Sequence, residues 1–129
     1  MAEFGKAIDD VAGLAAGEDL SGKQYTAVYL SAANQVKFAT SQNSSLLYGI
    51  LQNKPQSGEA AAVRDLGTTK WIAGAAVTAG DPLTTNGSGR AIKATSGAMV
   101  VGQALDTVGA DGETLTARVH PAVRWGQVP

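Results

Sequence analysis

The sequence predicts an all-β fold of short antiparallel strands, and three observations carry that prediction. Leu115, Ala117 and Val119 alternate with Thr114, Thr116 and Arg118, the two-residue period of a strand with one buried face. Asn86-Gly87-Ser88-Gly89 separates Leu83-Thr84-Thr85 from Arg90-Ala91-Ile92-Lys93, and Asn-Gly between two such runs is a hairpin turn. Sixteen glycines are spread through a chain that is only 5% aromatic, a composition suited to tight turns between short strands. With 129 residues the chain is one domain, long enough to bury a core.

Residues 1–24 read as an N-terminal arm. Phe4, Ile8, Val11 and Leu14 fall at helical spacing, but Gly5, Gly13 and Gly17 each cost about 1 kcal/mol relative to Ala inside a helix. A helix this short is marginal in isolation. The arm is therefore expected to order only against the body, a sister subunit or a larger partner, the alternative reading being a frayed terminus.

Residues 25–120 form the body. Residues 25–30 and 35–39 flank Ser31-Ala32-Ala33-Asn34 as a hairpin, and residues 41–45 are a polar loop. Residues 46–52 make an apolar strand interrupted at Gly49, where a bulge or a close backbone approach is expected. Lys54 to Gly58 turns the chain into a strand over residues 60–65, and Gly67 leads into another over 68–73. The central stretch, residues 77–105, follows. Gly80 supplies a positive-φ position, Asp81 is held extended by the next residue, and Pro82 opens a strand because it cannot donate to a ladder. Residues 99–105 are apolar on both faces, so both faces should be covered. Gly112 turns the chain into the last strand, and residues 121–129 are a C-terminal tail.

The body also echoes itself. Phe38-Ala39-Thr40-Ser41, Tyr48-Gly49, Gly58-Glu59 and Val63-Arg64 recur in order as Lys93-Ala94-Thr95-Ser96, Val101-Gly102, Gly112-Glu113 and Ala117-Arg118. Each unit is a strand, a polar loop, a Gly-broken apolar strand, a Gly-Glu turn and a final strand. Two such units are expected to pair into one small pseudo-symmetric barrel.

The chemistry is a record of absences. Net charge is −1 and the ten basic residues are scattered singly, so no basic stripe follows a phosphate backbone and no nucleic-acid partner is expected. There is no cysteine, which removes disulfides and thiolate metal sites. The longest weakly polar run, from Trp71 to Gly80, is too short for a bilayer. Glu3, Asp9 and Asp10 stand where a secretory signal would be basic, so neither membrane nor export is expected. His120 is the single histidine, too few imidazoles for zinc, and no nucleophile context surrounds any serine. It reads as structural. Asp9-Asp10, Glu18-Asp19 and Asp111/Glu113 read as solvated pairs rather than the divergent pair that acid–base chemistry needs. Gly17 to Lys23 has the spacing of a phosphate-binding loop, but Gln24 replaces the Mg²⁺-binding hydroxyl. No catalytic, cofactor or metal residue is expected. Trp71 alternates as a core residue, whereas Trp125, beside Arg124 in the tail, suits either an interface or packing on the body.

Several segments, in this order, resemble the capsid cement or head decoration family of tailed bacteriophages. They are Tyr48-Gly49-Ile50-Leu51-Gln52-Asn53, Gly58-Glu59-Ala60-Ala61-Ala62-Val63, Leu66-Gly67-Thr68-Thr69-Lys70, Ala79-Gly80-Asp81-Pro82-Leu83, Val101-Gly102-Gln103-Ala104-Leu105 and Gly112-Glu113. The likeness covers roughly residues 20–120. It implies a small β-barrel of the β-tulip or β-clip kind and a homotrimer on the outer surface of the virion. There it would stabilise contacts between neighbouring subunits of the major capsid protein. The resemblance implies no enzyme and no cofactor. Phe4, Ile8, Val11, Leu14 and Trp125 become the expected capsid or subunit contacts, and Gly49, Gly58, Gly80, Asp81, Pro82, Gly102 and Gly112 the turn positions. Two rival readings are a virion-surface module that recognises host carbohydrate and an enzyme on a β-clip-like barrel. The second lacks the clustered acids it would need.

Overall fold

Pairing between strands, not between strand and helix, accounts for the whole of the described chain. The computed structural model describes residues 14–39, 47–96 and 98–120. Phe4, Ile8, Val11, the loop at 41–45 and the tail with Trp125 lie outside them. The first sheet holds β1 (Ala15–Ala16), β2 (Ala27–Ala32), β3 (Gln35–Phe38), β4 (Leu47–Leu51) and β5 (Val63–Arg64), in the order β1-β3-β2-β4-β5. The second holds β6 (Gly67–Ile72), β7 (Pro82–Thr85), β8 (Ala91–Lys93), β9 (Gly102–Ala104) and β10 (Thr114–Val119), in the order β6-β10-β9-β7-β8. The all-β class expected from the sequence is what the chain adopts.

Each sheet curls until its edges meet. Ala15 in β1 bridges Ala60, just ahead of β5, and the Ala16 N–H donates to Glu59 O at 2.9 Å. In the second sheet Ala73, just after β6, bridges Ala91 in β8. The expectation of one barrel completed by two half-units therefore changes in detail: each unit closes largely on itself, and the two then pack together. Closure within a unit satisfies the backbone groups that a shared barrel would have left for its partner.

The two units correspond register by register. Val28 pairs with Phe38 and Gly49 as Leu83 pairs with Lys93 and Gly102. Ile50 faces Arg64 as Gln103 faces Arg118. The Asn53 side chain accepts from Ala62 N–H at 3.1 Å, and Asp106 accepts from Thr116 N–H at the same distance. The Gly-Glu turns match as well. Gly58 and Gly112 have φ of 84° and 93°, and each following glutamate caps its own turn: Glu59 accepts from Gln56 N–H at 2.7 Å and Glu113 from Ala110 N–H at 3.1 Å.

Structure extends the echo past what the sequence disclosed. β1 corresponds to the end of β6: Gly58 N–H donates to Ala16 O as Gly112 N–H donates to Ala73 O, both at 2.8 Å. Residues 14–24, expected in the arm, are thus the opening of the first unit, with Leu14, Ala16 and Leu20 buried. The helical spacing that ends at Leu14 runs into a strand.

The interiors match in position but not in size. Leu14, Ala16, Leu20, Val28, Val36, Leu51, Ala61 and Val63 fill the first unit. Their counterparts Trp71, Ala73, Val77, Leu83, Ala91, Ala104, Leu115 and Ala117 fill the second. Leu14, Val28 and Ala61 grow to Trp71, Leu83 and Leu115 while Leu20 shrinks to valine and Val36, Leu51 and Val63 to alanine, so volume is traded within a fixed backbone. Trp71 is fully buried, as the sequence reading expected, and its Nε1–H donates to Gly89 O at 3.0 Å. Val100, Val101, Gly102 and Ala104 are also buried, but Gln103 is partly exposed and Leu105 is exposed, so the stretch expected to be covered on both faces is covered on both only in its first part.

The outer face of the first sheet packs on the second unit. Ala27, Ala39, Leu47 and Ile50 join Val101 and Val119 in one buried cluster. Two backbone bonds clasp the junction: Ala27 N–H to Gly89 O at 2.8 Å and Ile72 N–H to Tyr25 O at 2.9 Å.

Trp71→Leu is expected to cost roughly 2–4 kcal/mol, because the surrounding alanines cannot fill the space. Adding Ala104→Leu and Ala117→Val, the residues the first unit uses at those positions, should recover part of that loss. Urea unfolding of the single and triple variants checks both outcomes.

Candidate functional site

The carboxylates are the natural place to look for chemistry, and they are occupied with turns. Asp81 accepts from Thr78 N–H at 2.9 Å, with Lys93 Nζ 4.0 Å from its other oxygen. Glu113 also accepts from Gly109 N–H at 2.7 Å, Glu18 from Phe38 N–H at 3.0 Å, and Asp19 from Ser21 N–H at 3.0 Å. The Ser21 backbone bond holds the Asp19 carboxyl below the usual range. Asp111 pairs with Arg90 at 2.8 Å on the surface. Each carboxylate so placed completes a backbone donor or a surface pair, which fixes loops. Among the described residues no group of three His, Asp or Glu side chains gathers where it could hold a metal.

The glycines at the expected turn positions meet two different geometric demands. Gly58, Gly80 and Gly112 have positive φ. Gly49 and Gly102 are close-approach sites instead: a Cβ on Gly102 would lie 2.6 Å from Arg118 O, and one on Gly49 would overlap Arg64 O. Between β2 and β4 the register shifts between Val28 and Tyr29, the irregularity expected near Gly49. Pro82 is the first residue of β7.

The expected contact residues fare differently. Leu14 is 6% exposed inside the first unit, so its side chain serves the chain's own core and is not presented to a partner. Phe4, Ile8, Val11 and Trp125 lie outside the described residues. Among the described residues, the large apolar side chains that do reach solvent are Leu66 and Leu105, each 44% exposed.

His120 follows β10 and is buried, its N–H donating to Val101 O at 3.0 Å. Its ring lines a small cavity at the junction with Leu47, Tyr48, Ile50, Val101 and Val119. Burial raises the Tyr48 hydroxyl above its ordinary pKa, with the charge of Asp65 adding to the effect.

Tyr25 is the residue that sequence reading misplaced. The sequence places it at the start of a strand over residues 25–30. It stands instead in a turn with φ of 64°, half-buried, with the Lys70 ammonium 6.0 Å from its ring centroid. The signal was present in the repeat, where its counterpart is Gly80, but the echo visible in sequence begins only at Phe38.

This fold occurs in known proteins. The N base of the head fiber gp8.5 of bacteriophage phi29 is 18% identical, with a TM-score of 0.65, over 88% of this chain and 95% of that one. A chain from the capsid of the Myoviridae phage XM1 is 15% identical, with a TM-score of 0.64, over 93% of this chain and 88% of that one. The shared fold is one that phage heads carry. No protein-family model and no curated protein sequence matches the chain.

Tyr48 gives a pH dependence with a defined sign. Its raised pKa means that the folded chain keeps the phenolic proton while the unfolded chain begins to lose it near pH 10. The unfolded state then binds fewer protons, so stability falls as pH rises through and beyond that value. Urea midpoints measured from about pH 8 to about pH 11 should decline, and Tyr48→Phe should flatten the decline.

Proposed function

We propose that this chain is a non-enzymatic structural protein of a phage head. It binds the outside of the shell as a homotrimer and stabilises contacts between neighbouring major capsid subunits. The observation that carries the reading is the likeness in fold, over nearly the full length of both chains, to the phi29 head-fiber base and to the XM1 capsid chain. The order of turn and strand motifs that resembles head decoration proteins supports it independently.

The physics of the body fits this role. A decoration protein must keep its shape while the shell beneath it is under load, and two self-closed units with matched hydrogen-bonded turns provide that. Attachment then depends on surface and on copy number. A standard interface of about 1,600 Å², repeated across three linked copies, holds through avidity even where one contact is weak. Phe4, Ile8 and Val11 are the proposed shell contacts of an N-terminal arm, and Trp125 that of the tail. The arm in this proposal ends before Leu14, because Leu14, Ala16 and Leu20 belong to the core.

Co-sedimentation with shells that lack this component tests the reading. Saturable binding of the intact chain is expected. Deleting residues 1–13 should weaken binding by about tenfold or more, on the order of 1.4 kcal/mol, while the β-sheet circular dichroism stays unchanged. Absence of binding to both compact and expanded shells would overturn the proposal, and unchanged binding after the deletion would overturn the role of the arm.

A further inference from the structure

Two units that agree so closely in backbone make their disagreements informative, and Tyr25 is the sharpest. It fills the position of Gly80: the Tyr25 N–H donates to Leu51 O and the Gly80 N–H to Ala104 O, both at 2.8 Å, with φ of 64° and 96°. This backbone calls for glycine. A bulky side chain there costs about 1–2 kcal/mol. The hydrogen bonds that Tyr25 gives to the fold are made by its backbone N–H and carbonyl, which glycine would supply equally well. The ring is not buried in either core cluster.

The ring instead forms part of an open groove where the two units meet. Gln52, Arg64, Thr68, Lys70 and Thr116 line it with Tyr25. Arg64 Nη1–H donates to Thr68 O at 2.8 Å, and the Gln52 amide donates to Thr69 Oγ1 at 2.7 Å and Ile50 O at 2.9 Å, so both planar groups are held in place. The lining includes the Lys70 ammonium and the Arg64 guanidinium. These side chains sit on paired strands or directly beside them, which presents them as a pre-formed surface.

We propose that this groove binds an acidic saccharide. The apolar face of a sugar ring stacks on Tyr25, its hydroxyls meet the Thr68 and Thr116 side chains and the fixed Gln52 amide, and its carboxylate meets Arg64 and Lys70. An acidic peptide would use the two cations alone and leave the strained aromatic without a task. The proposal does not depend on how the chain attaches to a shell.

The test applies the intact protein to an array of uronate-bearing, sialate-bearing and neutral oligosaccharides, with soluble hexaglutamate as competitor. Binding to acidic glycans is expected, weakened by salt and unaffected by hexaglutamate at equal carboxylate concentration. Tyr25→Gly should raise the half-saturating concentration at least about tenfold, on the order of 1.4 kcal/mol, and leave the melting temperature unchanged or higher. Lys70→Gln should weaken acidic glycans selectively. Silence across the acidic glycans, full displacement by hexaglutamate, or a Tyr25→Gly variant that melts lower with its affinity unchanged would each overturn the assignment.

Discussion

Each unit closes because a backbone carbonyl occupies the space where a side chain would stand. Arg64 O lies against Gly49 and Arg118 O against Gly102, and at both places the final strand of the unit crosses beside the Gly-broken strand. A methyl group there would push β5 from β4, or β10 from β9, and open the ring. Everything downstream depends on that approach: the Gly-Glu turns that aim the last strand, the bridges that join the sheet edges, and the eight interior positions shared by both units. Glycine is the one residue that permits it.

Given that frame, the units differ in what they pack and in how they end. Trp71, Leu83 and Leu115 are larger than Leu14, Val28 and Ala61, while Val77, Ala91, Ala104 and Ala117 are smaller than Leu20, Val36, Leu51 and Val63. The junction is not two-fold symmetric. Ala27 and Ile50 are buried in it, while their counterparts Pro82 and Gln103 are partly exposed. The bonds that clasp it cannot recur at the outer ends. Pro82 has no N–H where Ala27 donates, and Ala15 N–H already donates to Asn34 O at 2.9 Å where its counterpart Ile72 reaches Tyr25. Head-to-tail contacts that do not close lead to filaments. These two features distinguish the outer ends from the junction.

Much of the architecture was legible in the sequence because it is written in local chemistry. Alternation placed β10, Asn-Gly placed the β7–β8 turn, and the paired Gly-Glu steps marked the two units. Pro82 and Gly80 announced their own geometry. The start of the first unit was not legible, since Ala15–Ala16 forms a strand only through its partners β3 and Glu59, and two alanines carry no strand signal of their own. Leu14 was read as part of a helical stripe for the same reason. Closure of each unit on itself was hidden because it rests on isolated bridges between residues far apart in sequence. Tyr25 was hidden because a tyrosine in the left-handed region is uncommon, and only superposition on Gly80 exposes it. Asp111 and Glu113, by contrast, were placed in a turn by Gly112 between them, and Gly112 has a φ of 93°.

The central claim is that this paired β body sits on the outer face of a phage shell. Imaging shells saturated with the chain by electron cryo-microscopy tests it most directly. The account predicts ordered density for the body outside the shell, three copies around each three-fold position, bridging adjacent capsid subunits. Density on the inner face, or bodies placed singly with no contact across a subunit boundary, would contradict it.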